Sequence, residues 1–215
     1  GFYGKPRVDT ELLRKHHEGL IALSACLSGE IPRRLCAGDY SGAVEAARQM
    51  ADIFGPDHFC IEIQNHRLPE EKQILPQLVR LARELELPLV ATNDCHYLRR
   101  EDAGMQEILT CIATNRTLQD GGRIGFATDE FYYKTTAEMQ ALFSAFPEAL
   151  ENTVKIAARC SVELDFSHTY LPRFPCPDGQ SAGEYLRSLT YAGFARRVAA
   201  GEIRFTGRHP EEEYR

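Results

Sequence analysis

The sequence predicts an α/β fold with parallel strands joined by helical crossovers. Three observations carry the prediction. Short apolar runs bounded by Gly or Pro alternate with longer stretches of helical period, in the order strand, helix, strand, helix, strand, helix. The helical stretches carry recognisable caps and stops. The chain has 215 residues, 43% of them hydrophobic, enough to bury a core. An open sheet and a (β/α) barrel both satisfy this order, and both place a ligand site at the carboxyl ends of the strands.

Asp9 caps a short helix over Thr10 to His17, closed by Gly19. Leu20 to Cys26 is apolar, short and flanked by glycines, and reads as a strand. Ser41 to Phe54 follows as a helix, with Val44, Ala47, Met50 and Ile53 near 3.6 spacing and Gly55-Pro56 as its stop. Phe59 to Gln64 alternates and reads as a second strand. Glu70 to Leu85 is helical, with Leu75, Leu78, Val79, Ala82 and Leu85 on one face and a bend expected near Pro76. Leu89 to Thr92 is the third strand, and a helix follows near Ala103 to Ala113.

From Asn115 to Asp129 the chain is polar and glycine-containing, a long loop, and Phe131 to Lys134 fits a short strand. Thr135-x-x-Glu138 has capping-box spacing and starts a helix, and Pro147 opens another over Glu148 to Cys160. Pro172, Pro175, Pro177 and Gly179 mark a linker over 168–180. Ser181-x-x-Glu184 is a second capping box, before a helix to about Ala200. The segment 181–215 is too short to fold alone and reads as the start of a truncated domain. The first residues, without an initiator Met, look cut from a longer protein.

Composition excludes several classes. No apolar run reaches the ~18 residues of a membrane span, and the first residues show no signal-peptide pattern. Seven cysteines without a CxxC pair read as reduced thiols in the cytoplasm, and argue against a zinc finger or a disulfide framework. A net charge of −6 gives no general attraction to nucleic acid. Gly121-Gly122-x-x-Gly125 lacks the strand and lysine of a phosphate loop, and no GxSxG elbow occurs.

The chemistry concentrates at the predicted strand ends. Asp94 and His96 lie two apart after the third strand, so a period of two points them to one side and Cys95 into packing on the other. Cys26 ends the first strand, and Gln64-Asn65-His66 end the second. Cys26, Asp94 and His96 form a mixed S/O/N donor set suited to Zn²⁺, with the carboxylate also admitting Mn²⁺. Glu62 reads as a metal ligand or, in preference, a salt-bridged wall residue, and Glu62, Gln64 and His66 are candidates to support the donors from behind.

The segments GFYGKPRVDTELLRKHHEGLIALSACLSGEI, IEIQNH, LPLVATNDCHYL and YLPRFPCPDG then resemble a known family. They are similar, in order and spacing, to bacterial replicative DNA polymerases of the polymerase III alpha-subunit family. The resemblance runs from Gly1 to about Ala200. It implies that 1–167 is the C-terminal portion of a PHP (polymerase and histidinol phosphatase) domain, a distorted (β/α)7 barrel holding a metal cluster. It implies that 181–215 begins the polymerase core. Cys26 matches the family's Cys/His ligand, and Asp94 and His96 its closing Asp-x-His, so both would act in catalysis through the metal. The resemblance implies a 3′–5′ exonuclease or, alternatively, a scaffold for a separate one. It implies Mg²⁺ for polymerisation, and DNA, an exonuclease subunit and a sliding clamp as partners. The remaining PHP ligands would lie before Gly1 and the polymerase acids beyond Arg215. A partial barrel of this kind is expected to expose strand edges and to associate.

Overall fold

In the computed structural model, residues 4, 6–119, 125–169, 171 and 174–203 are described. Parts of the first resemblance segment, the Gly121-Gly122 stretch, Pro172 of the linker, His209 and the end of 181–215 lie outside them. The chain divides into two compact units, Gly1–Ser161 and Val162–Arg215.

The first unit begins with α1 (Thr10–His16), whose Asp9 carboxylate accepts from the Leu12 N–H at 2.8 Å. Strand β1 is only Ala22–Leu23, much shorter than the seven residues expected. Ala25 takes a left-handed φ of 67° and turns the chain out of the sheet, while the Ser24 hydroxyl accepts from the Glu62 N–H at 2.8 Å. A helix that the sequence reading did not anticipate follows, α2 (Glu30–Cys36), which buries Ile31 and Leu35. Its signals are present: an acid in the first turn, Pro32 early enough to be tolerated, and arginines in the last turn.

Helix α3 (Tyr40–Phe54) is capped by Asp39 and stopped by Gly55 at φ 88°. Strand β2 (Phe59–Ile63) is buried at every position rather than alternating, as suits a central strand covered on both faces. Helix α4 (Pro69–Glu84) runs unbroken through Pro76 and buries Ile74, Leu78, Val79, Leu81 and Ala82. Strand β3 (Leu89–Ala91) completes a parallel sheet of order β1-β2-β3, with Leu23 opposite Cys60 and Glu62 opposite Val90. This is the parallel α/β arrangement the alternation predicts. The described residues form three strands and do not close a barrel.

After β3 come α5 (Ala103–Thr114), α6 (Thr136–Leu142) and α7 (Pro147–Arg159). The strand expected over Phe131 to Lys134 is reduced to one bridge, Tyr97 with Tyr132. Helix α7 packs on β3, where the Asn152 amide donates to the Leu89 carbonyl at 2.7 Å. The core joins Leu35, Ala43, Ala47, Phe59, Ile61, Ile63, Leu81, Phe143 and Ala149.

In the second unit, α8 (Ala182–Ala199) starts at the Ser181–Glu184 capping box, the Ser181 hydroxyl accepting from the Glu184 N–H at 3.3 Å. Phe174 stacks on Tyr185 with ring centroids 5.9 Å apart. No described helix is long and apolar enough to cross a membrane.

Candidate functional site

The strands of the sheet run parallel, so the ends of β1, β2 and β3 lie on the same side of it. Asp94 and His96 lie beyond β3 rather than on it. The last ladder bond is Thr92 N–H to the Ile63 carbonyl at 3.1 Å. The backbone is then diverted: the Asp94 N–H donates to His66 Nε2 at 3.2 Å, and the His96 N–H to the Phe131 carbonyl at 2.8 Å. The turn still brings the two side chains together, His96 Nε2 to Asp94 Oδ1 at 3.2 Å, with about a third of each exposed (35% and 35%). Cys95, expected in packing, is exposed instead, because no strand fixes its direction.

His66 stands behind this pair. It is 1% exposed and stacks flat on Phe131 at 4.2 Å. Because its Nε2 accepts from the Asp94 N–H, its Nδ1 carries the proton and donates to Glu71 Oε1 at 2.6 Å. The same carboxylate accepts from the His66 N–H at 2.6 Å and from the Leu68 N–H, and so caps α4. His66 thus links the Asp94 backbone to Glu71 at the start of α4. Glu62 is buried at 8% exposure, and its Oε1 accepts from the Gln64 amide at 2.9 Å and from the Thr92 hydroxyl. Its partners are neutral, not the salt bridge expected of a wall residue. Cys26, Glu62, Gln64 and Glu71 line a small cavity of about 20 Å³, room for one water.

A strap from Phe126 to Lys134 closes over the strand ends. Phe126 stacks on Phe131 at 4.2 Å and tilts against His96 at 4.3 Å. The Thr128 hydroxyl donates to the His66 carbonyl at 2.8 Å. Under the strap lies Glu130, 2% exposed, which accepts both arms of Arg100 at 2.9 and 3.2 Å and pairs with Arg67 at 3.0 Å. Burial pushes its carboxyl up, but the Arg100 hydrogen bond and the Arg100, Arg67 and Lys134 charges hold it below the usual carboxylate range. Burial pushes the Lys134 ammonium down, against the raising effect of Glu130. The Tyr132 hydroxyl donates to Glu138 at 2.5 Å, and with the Thr135 hydrogen bonds it holds the Glu138 carboxyl at about 2.

The sequence reading missed Arg100, Glu130, Tyr132 and Lys134. They pair across some thirty positions of chain (Arg100 with Glu130 is 30 apart), so no local spacing announces them.

Asp94 and His96 could offer two donors to a metal. Ligand atoms about 2.0–2.2 Å from one tetrahedral ion lie about 3.3–3.6 Å apart, so the pair, held at the 3.2 Å of a His–Asp ion pair, would have to open slightly to take one. Among the described residues no three His, Cys, Asp or Glu side chains are grouped to hold a metal, so Cys26 is not gathered with the pair.

Comparison with known proteins falls on this frame. The PHP domain family matches residues 1–66, which span α1 to the end of β2 with Cys26, Glu62, Gln64 and His66. The α/β unit is thus similar to a PHP domain over its first 66 residues. The particular relatives are DNA polymerase III alpha subunits. That of Treponema pallidum is 46% identical over 200 residues, 93% of this chain and 17% of the relative. That of Thermus aquaticus is 46% identical over 206 residues, 92% of this chain and 17% of the relative. That of Deinococcus radiodurans is 42% identical over 206 residues, 93% of this chain and 15% of the relative. The resemblance drawn from the sequence holds: the chain is DNA polymerase III alpha-like over about nine tenths of its length. It spans about a sixth of the length of these relatives.

Proposed function

We propose that this chain is part of a replicative DNA polymerase that carries out template-directed DNA synthesis. The observation that carries the reading is 46% identity over 93% of the chain to a DNA polymerase III alpha subunit. In this reading residues 1–167 are PHP domain, 168–180 a linker and 181–215 the entry to the polymerase core. The whole protein works in the cytoplasm on DNA, with Mg²⁺ for polymerisation and with an exonuclease subunit and a sliding clamp as partners.

The PHP domain is then a metal-dependent 3′–5′ exonuclease. Asp94 and His96, with Cys26, would hold Zn²⁺ or Mn²⁺ together with ligands from elsewhere in the protein. A divalent ion there supplies Lewis acidity toward a phosphodiester and lowers the pKa of bound water. The chain's own contribution is placement: His66 and the strap fix the donor pair at the protein surface, where a strand terminus can reach it. A second reading is a scaffold that steadies the polymerase and docks a separate exonuclease.

Asp94→Ala in the full-length protein tests both. Expected are unchanged primer extension and loss of metal-dependent nucleotide release from a 3′ end. Release at the wild-type rate, in a preparation free of other nucleases, refutes the exonuclease role of the site. Absence of release from the wild type as well favours the scaffold, and absence of primer extension from the wild type refutes the polymerase reading.

A further inference from the structure

Lys134 is buried with 1% of its side chain exposed, though lysine is among the residues least often buried. A Met of similar length would fill that space without an ammonium. What Met cannot do is donate. The Lys134 ammonium donates to Asn93 Oδ1 at 3.0 Å and to the Glu130 carbonyl, and lies 3.5 Å from the Glu130 carboxylate. Asn93 is held at its other end too, its Nδ2 donating to the Tyr132 carbonyl at 2.6 Å. Only one orientation of the amide puts its oxygen on the ammonium and its nitrogen on the carbonyl. The Asn93 side chain is thereby locked at both atoms, directly before Asp94.

The Glu130 end of the network is anchored independently. Arg100 grips the carboxylate with both arms, lies over the Tyr132 ring at 4.7 Å, and donates to the Tyr132 hydroxyl at 3.1 Å. Lys134 also sits over that ring, at 4.4 Å. Lys134 is thus fixed before it meets Asn93, and can impose a position on the turn rather than follow it.

We propose that Lys134 is a positioning residue for the Asp94–His96 donor pair, acting through Asn93. The proposal rests on the reading of that pair as metal donors. A donor edge of 3.2 Å beyond the end of a strand has no sheet ladder to hold it. Its spacing then depends on the Asn93 lock on one side and the His66 and Phe131 backbone bonds on the other. Losing the lock lets the turn relax and loosens the metal without removing a ligand.

The test measures Zn²⁺ affinity of the full-length protein by competition with a chromophoric chelator. Lys134→Met is expected to weaken Zn²⁺ binding by about 10–100-fold, the range for residues that orient metal ligands. Asn93→Ala should weaken it by a similar factor, and the double variant by no more than the larger single effect, because both act along one path. Wild-type affinity in Lys134→Met, or losses that multiply in the double variant, overturns the proposal. Thermal unfolding is read alongside. If Lys134→Met does not fold, Asn93→Ala at the half-buried start of the turn decides, and wild-type affinity there overturns the proposal. Asp94→Ala is the control for the underlying reading: unchanged Zn²⁺ stoichiometry in that variant refutes the donor assignment, and the positioning role falls with it. Loss of Zn²⁺ in Asp94→Ala with full affinity in Lys134→Met refutes the positioning role alone.

Discussion

Glu130 shows how a carboxylate survives burial. At 2% exposure it has lost its water, and Arg100, Arg67 and Lys134 replace it. Removing Glu130 leaves the buried Lys134 ammonium without its carboxylate, and breaking a buried pair in this way costs about 3–5 kcal/mol, while the more exposed Arg100 and Arg67 keep water or Asp129. Glu130→Ala is therefore expected to lower unfolding stability by about 3 kcal/mol or more in urea titration. A loss below about 1 kcal/mol would mean that water already screens the cluster. This residue was not legible in the sequence, where it lies among polar residues after an expected loop. Asp94 and His96 were legible, because spacing two after an apolar run is a local signal. The distance between them was not, since it depends on His66 and Phe131 from other parts of the chain.

The helices are the most legible elements, because caps and stops act within four residues. The Thr135–Glu138 and Ser181–Glu184 boxes form at the predicted positions. Glu138 ties α6 to the strap through Tyr132, and this gives a pH signature. Its carboxyl falls from 4.5 to about 2 through the Tyr132 and then the Thr135 hydrogen bonds. The ionised form is favoured in the folded state, so its contribution is complete above pH 4.5 and is lost as pH falls toward 2. Carboxyl NMR is expected to place the Glu138 midpoint near 2, and Glu138→Gln to flatten the loss of stability across that window. A midpoint at 4.5 would show that the Tyr132 contact does not persist in solution. Strand lengths were less legible. An apolar run gives the start of β1, but its end is set by the left-handed turn at Ala25. Helix α2, only seven residues long, is too short to give a clear helical period in the sequence.

At the scale of the whole molecule, the first unit holds a three-stranded sheet whose outer strands, β1 and β3, each pair on one side only among the described residues. On α5 the apolar residues Met105, Ile108, Leu109 and Ile112, at helical spacing, are 61, 41, 53 and 71% exposed. Unpaired edges and an apolar stripe of this kind drive association. The 215-residue chain on its own is expected to run in light scattering at more than the mass of one copy, with the excess growing with concentration. A monodisperse single-copy mass at all concentrations would refute this.

By itself the sequence determined the parallel α/β order, most helix starts, the kinship with polymerase III alpha subunits and the Asp94–His96 pair. All of these rest on patterns within a few residues or on long stretches of identity. Only the tertiary structure decided the early end of β1, the His66 tautomer and the Arg100–Glu130–Lys134 network, which reaches Asn93 directly before the pair. These depend on residues some thirty positions apart meeting at partly buried contacts, where each charge must find its partner and no local pattern names which one.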